Sequence, residues 1–466
     1  MDDNKARLPG NSGTRQVTGK ERASYAAYFV GQNIFYIFLS SYLNTYFLDI
    51  GMTALVLSAL ILVVKIWDAV NDPLFGAIVD RVRFKKGKFL PWLRVSLVAI
   101  PLTTVLLFAI PSNIHGGVLI AWGVIGYILW DTAYTICDVP IFGIITTITS
   151  NLSERTSLMA IGRIAAMVAA IVVTVAVPQL RSAIGGWFPM ALMLSLLGLL
   201  FMIPICVTAK ERIKPVTSDK EVTFKEMGSF VAKNKYMLIF YAAFIVSQTA
   251  NIVMPLGLIM ARAFFNDEGV SSIMSIVMLL PTIILGGFIP RILKKIDKYN
   301  LFIGALIGTA VLNVLAFFVG YENFTLYLIM LALKGIPLGV TIMLMFMFTP
   351  DLAEYGTYKL GYSATGIAFS VQTFSVKLTS ALASSLSAFA LFLIGYVSKE
   401  GAVQPTDFPE KLWLVACLIP AVGYAFSALI FSRYKLRDKD VQIMTKANSG
   451  EITREEASAL LGGKYE

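Results

Sequence analysis

Long apolar stretches separated by short polar connections run through almost the whole chain. A membrane-spanning α-helix needs about 20 consecutive, mostly apolar residues. Twelve stretches reach that length, at residues 24–49, 54–79, 90–111, 116–149, 156–178, 186–209, 236–261, 268–290, 300–320, 324–349, 364–397 and 410–433. The fourth and the eleventh are long enough to tilt, bend or extend beyond the bilayer. The pattern predicts an all-α polytopic membrane protein.

The composition supports this class. Hydrophobic residues make up 57% of the 466 residues and charged residues 15%, and the mean hydropathy is +0.73. These values lie outside the usual balance of a soluble domain. The cysteines Cys137, Cys206 and Cys417 lie in apolar stretches without metal-ligand spacing, and the single histidine, His115, lies in a loop. We therefore expect no cofactor and no metal site built from His or Cys.

The net charge of +10 is concentrated in alternate connections. Lys and Arg are frequent in DRVRFKKGK after the second stretch, in residues 210–235 and in RILKKIDK after the eighth, whereas LDIGMT, PSNIHGG and VGYENF contain none. By the positive-inside rule, the basic connections and both termini lie in the cytoplasm. The charge therefore indicates orientation in a lipid bilayer, and we expect no nucleic-acid partner.

The connection at residues 210–235 divides the predicted helices six and six. A weak repeat relates the halves: residues 76–81 and 286–291 end the second and eighth helices, and residues 149–154 and 349–354 close the fourth and tenth. Many transporters are built from repeated halves. We predict a cytoplasmic N-terminal segment (1–23), two six-helix bundles (24–209 and 236–433), a central cytoplasmic loop (210–235) and a cytoplasmic tail (434–466) that could form a short amphipathic helix.

The second predicted helix contains an unusual charged cluster. Lys65, Asp68 and Asp72 follow at spacings of three and four and share one helix face, with Asn71 beside them. Lys65 can offset one carboxylate, and the second then favours a bound cation. Asn71 adds a neutral oxygen that suits Na⁺, whereas H⁺ needs only a carboxylate, so the cluster permits either ion. Alternatively, the segment is a helix end whose acids lie in water.

The fourth predicted helix also has polar groups on one face, at Asp131, Thr135 and Asp138. The hydroxyl of Thr135 could contact the same cation, and Asp138 could accept hydrogen bonds from a polyhydroxylated ligand. Sugar sites combine polar groups with an aromatic face, which makes Tyr134 and Phe142 candidates for stacking. The alternative for these acids and rings is bonding and packing between helices.

Cations and amides occur at spanning depth elsewhere in the chain. Arg163 lies in the fifth predicted helix, and Lys377 lies in the eleventh with Thr373 one turn before it. Such cations must meet an anion or a water-filled cavity. Further polar residues at this depth are Gln32, Asn33, Gln248, Asn251 and Lys334.

Four stretches together resemble one family: KIWDAVNDPLFGAIVDR (65–81), GKFLPW (87–92), YTICDVP (134–140) and the region from DLAEYGTYKLG to SVQTFSVK (351–377). They resemble the glycoside-pentoside-hexuronide:cation symporters, the melibiose permease group of the major facilitator superfamily, over about residues 20–435. The resemblance implies cation-coupled sugar uptake across a bacterial cytoplasmic membrane.

The resemblance also implies roles for residues. It places a cation site at Asp68, Asn71, Asp72 and Thr135, and positions at or beside a sugar site at Asp138, Arg163, Gln372, Thr373 and Lys377. Lys65 stands where the melibiose permease has an arginine. Gln32-Asn33 replace a Lys-Asp pair, and Phe142 replaces a sugar-stacking tryptophan. Because this chain lacks one carboxylate of the melibiose permease's sugar site, the resemblance does not predict galactoside specificity. A different glycoside, a pentoside or a uronide is the alternative substrate.

We therefore predict a symporter in which a cation gradient drives the import of a sugar or glycoside. Na⁺ is the first choice because Asn71 and Thr135 add neutral oxygens, and H⁺ is the alternative. An amphiphile carrier and a transporter-like sensor remain possible on the same scaffold. Because the sequence has no metal motif, no nucleophile with a nearby base and no nucleotide-binding loop, we expect no catalytic residues and no enzyme activity.

Overall fold

The computed structural model describes residues 16–82, 84, 87–111, 113–149, 151–213, 224–286, 288–361 and 365–465. Parts of the predicted N-terminal segment, of the basic connection after the second helix and of the central loop lie outside these ranges. The helices within them are α1 (Gly19–Asp49), α2 (Ala54–Arg81), α3 (Leu90–Phe108), α4 (Gly116–Gly143), α5 (Ile145–Ile148), α6 (Leu152–Leu180), α7 (Trp187–Thr208), α8 (Phe224–Lys233), α9 (Lys235–Thr249), α10 (Val253–Phe265), α11 (Val270–Gly286), α12 (Ile289–Ile292), α13 (Lys298–Val319), α14 (Phe324–Leu360), α15 (Thr365–Leu393), α16 (Phe408–Phe431), α17 (Asp438–Ser449) and α18 (Arg454–Leu461).

Within the described residues, ten segments are long and apolar enough to cross a membrane. Together with α1 and the shorter apolar segment Val270–Leu285, they coincide with the twelve predicted stretches. Large apolar side chains such as Phe318 and Val207 are exposed by 78% and 77%. Exposed apolar surface of this extent marks contact with a membrane. The all-α, multi-pass membrane fold predicted from the sequence is confirmed.

The seventh predicted helix is not continuous. It consists of α9 and α10, and the backbone between them leaves the α-helical pattern, with Ile252 donating to the carbonyl oxygen of Ala250 at 2.9 Å. Both residues are buried, at 0% and 5% exposure. Non-helical backbone at membrane depth is tolerated only where protein or a polar cavity surrounds it. The break therefore lies where protein surrounds the interrupted backbone.

The tenth predicted helix is longer than expected, and the prediction that residues 349–354 close it is wrong. α14 continues to Leu360 over 37 residues, or about 55 Å, well beyond the roughly 30 Å of bilayer hydrocarbon. The polar run fails to end the helix because Leu352 and Tyr355 are buried. The Tyr355 ring packs at 4.8 Å from the ring of Tyr236.

The C-terminal tail is ordered and packed. Its two helices, α17 and α18, place Val441, Met444 and Leu461 in the same apolar core as α9 and α14. A capping box between Thr453 and Glu456 begins α18. The tail is therefore a folded part of the C-terminal half.

Contacts between Cα atoms divide the chain into two compact units. The first comprises Met1–Ser40 and Ile66–Thr217, and the second comprises Ser41–Lys65 and Ser218–Glu466. Two boundaries of these units thus lie inside α1 and α2, and the end of α1 and the start of α2 are grouped with the C-terminal helices. The boundaries of the two predicted bundles, in contrast, lie in the connections between helices. Inside the second unit, Arg262 forms two charged hydrogen bonds with Asp49, at 2.7 and 2.9 Å.

Candidate functional site

The predicted cation residues of α2 and α4 come together inside the first unit. Asn71 Nδ2 donates to Thr135 Oγ1 at 2.8 Å, and Thr135 Oγ1 lies 3.0 Å from Asp72 Oδ1. Asp68 lies one turn before Asp72 on the same helix and is 6% exposed. Trp67 fixes the two helices to each other, because its Nε1 donates to Thr132 Oγ1 at 3.0 Å. The chain thus forms a buried oxygen-rich cluster between α2 and α4.

This cluster has the chemistry of a site for a small hard cation. Carboxylate, amide and hydroxyl oxygens suit such ions, and soft or imidazole ligands are not needed. The Thr135 hydroxyl accepts from Asn71 and shares its proton between Asp72 and the backbone oxygen of Asp131, which leaves it one lone pair. Among the described residues, no group of three or more His, Cys, Asp and Glu side chains could hold a metal ion. A cation here would therefore depend on the neutral oxygens of Asn71 and Thr135.

A second polar group lies one turn further along α4. Gln32 Nε2 of α1 donates to Asp138 Oδ1 at 2.6 Å and to the Tyr134 hydroxyl at 3.2 Å. Gln32 is only 1% exposed, and its Oε1 accepts no hydrogen bond from the residues that the structure describes. A buried acceptor without a partner is costly unless a ligand or water reaches it. This oxygen is therefore a place where a ligand hydroxyl could bind.

Aromatic rings flank this polar group. The Tyr134 ring stacks on Trp130, with centroids 5.1 Å apart and planes 14° apart. The Phe142 ring lies 5.9 Å from the guanidinium carbon of Arg163 and packs edge-on against Phe29 at 5.4 Å. Arg163 is exposed. Both predicted stacking residues are thus beside Asp138 or Arg163, and each already has an aromatic or cationic neighbour.

Two adjacent residues of α1, Gln32 and Asn33, have different partners. Asn33 Nδ2 donates to the carbonyl oxygen of Phe29, at 2.9 Å, within its own helix. Gln32, the neighbouring residue of the pair that replaces the family's Lys-Asp, makes the contact with Asp138. Trp130 was not identified from the sequence, although its position one turn before Tyr134 was a usable signal.

The remaining predicted residues lie in the second unit. On α15, Gln372 is 7% exposed, and its Oε1 has no hydrogen-bond partner among the described residues. Thr373 is exposed, and its hydroxyl donates to the carbonyl oxygen of Phe369 at 3.1 Å. Lys377 is partly exposed one turn further on. Lys65, also grouped with this unit, is partly exposed on α2.

Known proteins match this chain over nearly its full length. The isoprimeverose transporter of Lactiplantibacillus pentosus is 26% identical over 444 residues, which covers 90% of this chain and 89% of the relative. A putative glycoside/cation symporter of Escherichia coli is 26% identical over 470 residues, 95% of this chain and 99% of the relative. The crystal structure of the nucleoside transporter NupG has the same fold, with a TM-score of 0.64 at 15% identity over 90% of this chain and 100% of NupG.

The family model described as MFS/sugar transport protein matches residues 24–438. Its members are transport proteins, which confirms the expectation that the chain is not an enzyme. The match spans both halves and includes every residue of the clusters on α2 and α4. The chain therefore belongs to the MFS/sugar transport protein family, the glycoside-pentoside-hexuronide:cation symporters that the sequence resembles.

Proposed function

We propose that the chain is a symporter that uses an inward cation gradient, first of all Na⁺, to import a sugar or glycoside. The observation that carries this proposal is the spacing on α4. Thr135 belongs to the oxygen cluster with Asn71 and Asp72, and Asp138, one turn later, belongs to the polar group with Gln32. A cation and a polyhydroxylated ligand would therefore bind within one turn of the same helix.

This spacing supplies a physical route for coupling. Cation binding offsets the negative charge of Asp68 and Asp72 and fixes Thr135 on α4. A ligand held by Asp138 then binds to a helix that is already ordered. By linkage, each ligand raises the affinity for the other by the same factor. Rocking of two halves would expose the site to either side of the membrane in turn, with both termini in the cytoplasm.

The polar groups suit a sugar. The carboxylate of Asp138 accepts hydrogen bonds from hydroxyl groups, and the unpartnered Oε1 of Gln32 accepts one more. Tyr134 and Phe142 offer aromatic surface for the apolar face of a pyranose. Arg163 would favour a uronide carboxylate over a neutral glycoside. On the family resemblance, Asn33 of the first unit and Gln372, Thr373 and Lys377 of the second are also proposed as substrate residues, and Lys65 as a charge partner of the α2 acids.

The test is uptake into membrane vesicles under separately imposed Na⁺ and pH gradients. Labelled isoprimeverose, a pentoside and a glucuronide serve as probes, because a relative is named an isoprimeverose transporter. We expect a Na⁺ gradient at constant pH to drive accumulation of at least one probe. Asp72→Asn should reduce this accumulation by about tenfold or more, since a charged ligand of the cation is lost.

Asp407→Asn is the matched control. Asp407 lies outside the membrane helices in an exposed ion pair with Lys411, at 2.6 Å. The hydrogen bond from Lys411 lowers the pKa of Asp407, so the substitution removes a real charge and should leave uptake unchanged. Accumulation driven only by the pH gradient would identify H⁺ as the coupling ion. Wild-type accumulation by Asp72→Asn would disprove the cation site.

A further inference from the structure

Helix α4 has two polar faces, and the proposed function assigns them to different ligands. Thr132 and Thr135, three residues apart, both bond side chains of α2. Trp130, Tyr134 and Asp138 follow one another at spacings of four along a second face. Adjacent residues of a helix point about 100° apart, so Tyr134 and Thr135 lie on different sides of α4. The two proposed sites therefore share one helix and use different sides of it.

One indole hydrogen bond holds the side of the proposed cation site. Trp67 Nε1 of α2 donates to Thr132 Oγ1 of α4 at 3.0 Å. Because an indole N–H can only donate, Thr132 accepts here and gives its own proton to the carbonyl oxygen of Ile128, at 2.8 Å. One turn further along both helices, Asn71 donates to Thr135. The bond from Trp67 thus lies one helical turn before the proposed cation site.

A second indole hydrogen bond of the same kind holds the other side of α4. Trp130 Nε1 donates to Thr104 Oγ1 of α3 at 2.9 Å, and Thr104 donates to the carbonyl oxygen of Ile100 in its own helix, at 2.8 Å. Trp130 and Thr104 are 4% and 0% exposed. The Trp130 ring stacks on Tyr134, which contacts Gln32. This bond therefore fixes the ring that supports the proposed sugar residue Tyr134.

Both bonds join neutral groups, so their effect on a ligand is geometric. A binding site needs its ligating atoms held to within about 0.5 Å, and hydrogen bonds behind those atoms maintain their positions. Loss of the bond from Trp67 would let α4 rotate or slide against α2 and would separate Thr135 from Asn71. Loss of the bond to Thr104 would free the Trp130 ring and leave the contact between α2 and α4 in place.

We propose that these two bonds position the two sites separately. Trp67 and Thr132 are positioning residues for the cation site, and Thr104 and Trp130 are positioning residues for the sugar site. This division rests on the proposed symport, and it adds which contacts of α4 serve which ligand. All four residues act through neighbours and touch neither ligand.

The cation side is tested by Na⁺ binding to the purified full-length chain without sugar, measured by titration calorimetry in choline chloride at constant ionic strength. Trp67→Phe and Thr132→Val should each weaken Na⁺ binding by about fivefold, the effect of one neutral hydrogen bond. The double variant should be no weaker than either single variant, because both substitutions remove the same bond. Thr132→Ser keeps the hydroxyl and should bind Na⁺ as the wild type does.

The sugar side is tested by competition at saturating Na⁺ against the labelled probe that wild-type vesicles accumulate, which is isoprimeverose, the pentoside or the glucuronide. Thr104→Val should weaken sugar binding by about fivefold and leave Na⁺ binding without sugar unchanged. Thr104→Ser should restore the sugar affinity. Trp67→Phe should show the reverse pattern, with weaker Na⁺ binding and unchanged sugar affinity at saturating Na⁺.

Trp122→Phe and Thr103→Val are the matched controls. Trp122 also lies on α4 and donates to the backbone oxygen of Leu106. Thr103 precedes Thr104 and donates to backbone oxygens of its own helix. Both variants should keep the wild-type affinities for Na⁺ and sugar.

Two results would overturn the division of roles. One is an equal loss of Na⁺ and sugar affinity in Trp67→Phe, and the other is wild-type Na⁺ affinity in both Trp67→Phe and Thr132→Val. If Trp67→Phe does not fold, Thr132→Val removes the same bond and gives the same test. A wild-type chain that binds no Na⁺ or accumulates no probe would instead contradict the proposed function itself.

Discussion

The polar side chains inside the two units have different kinds of partners. In the first unit, carboxylates take part: Thr135 donates to Asp72 and accepts from Asn71, and Gln32 donates to Asp138. In the second unit, the hydroxyls of Tyr241 and Thr349 bond each other, and the Ser427 hydroxyl donates to the carbonyl oxygen of Ala243. The carboxylates that we propose for cation and sugar binding thus lie in the first unit, while these polar groups of the second unit bond neutral partners.

The second unit also contains a fully paired charge, which serves as a reference. Asp49 has a side chain only 1% exposed and meets Arg262, which also contacts Glu268 at 2.9 Å. Charges paired in this way contribute to stability when one partner would otherwise be left buried alone. We therefore expect different effects from substitutions in this ion pair, in the oxygen cluster of α2 and α4, and in the proposed sugar site.

The largest effect should come from this pair. Asp49→Asn should lower the free energy of unfolding by about 3 kcal/mol, because Arg262 keeps only Glu268. Thermal unfolding of the purified protein measures this change, with Asp407→Asn as the exposed control that should have little effect. The Na⁺ dependence of substrate binding should not change. A shift in that dependence would show that Asp49 and Arg262 influence cation binding.

An intermediate effect is expected in the first unit. Thr135→Val keeps the shape of the side chain and removes the hydroxyl between Asn71 and Asp72. The Na⁺ concentration for half-maximal uptake should rise about tenfold, the effect of one hydrogen bond to a charged group. Thr103→Val is the control, because Thr103 donates only to backbone oxygens of its own helix. Equal Na⁺ dependence in both variants would exclude Thr135 from the site.

The smallest effect should come from the proposed sugar site. Tyr134→Phe keeps the stack on Trp130 and removes the 3.2 Å contact with Gln32. A neutral hydrogen bond contributes about 1 kcal/mol, so substrate affinity should fall about fivefold with little change in Na⁺ dependence. Competition between labelled and unlabelled substrate measures this affinity. An effect on Na⁺ that is larger than the effect on substrate would reverse the assignment of the two clusters.

Apolar length was sufficient to predict the membrane helices, and helical spacing placed the polar residues of α2 and of α4 on one face of each helix. The family resemblance was needed to group Thr135 with Asn71 and Asp72. These signals could not distinguish Gln32 from Asn33 as the partner of Asp138. Adjacent residues on a helix point about 100° apart, and packing against neighbours sets the rotation of the helix.

The pattern of apolar residues also did not predict where one helix is interrupted and where another is extended. The break between α9 and α10 follows the polar run at residues 247–251, Ser-Gln-Thr-Ala-Asn. Polar residues at membrane depth do not by themselves show where backbone hydrogen bonding is interrupted, so the pattern predicted one continuous helix. The extension of α14 depends on burial of Tyr355 beneath Tyr236 and the tail. These contacts join residues far apart in sequence, which a local pattern does not represent.

The interrupted seventh segment has a consequence for biosynthesis. α9 and α10 have 15 and 13 residues, and helices of these lengths reach only about 20 Å, too short to cross the bilayer alone. The translocon must therefore insert the 31 residues of Lys235–Phe265 together. Gly423 of α16 lies so close to the break that an added Cβ would be 2.1 Å from the Cβ of Ala250. The exposed backbone of the nascent segment is thus covered only after the last membrane helix has been synthesised.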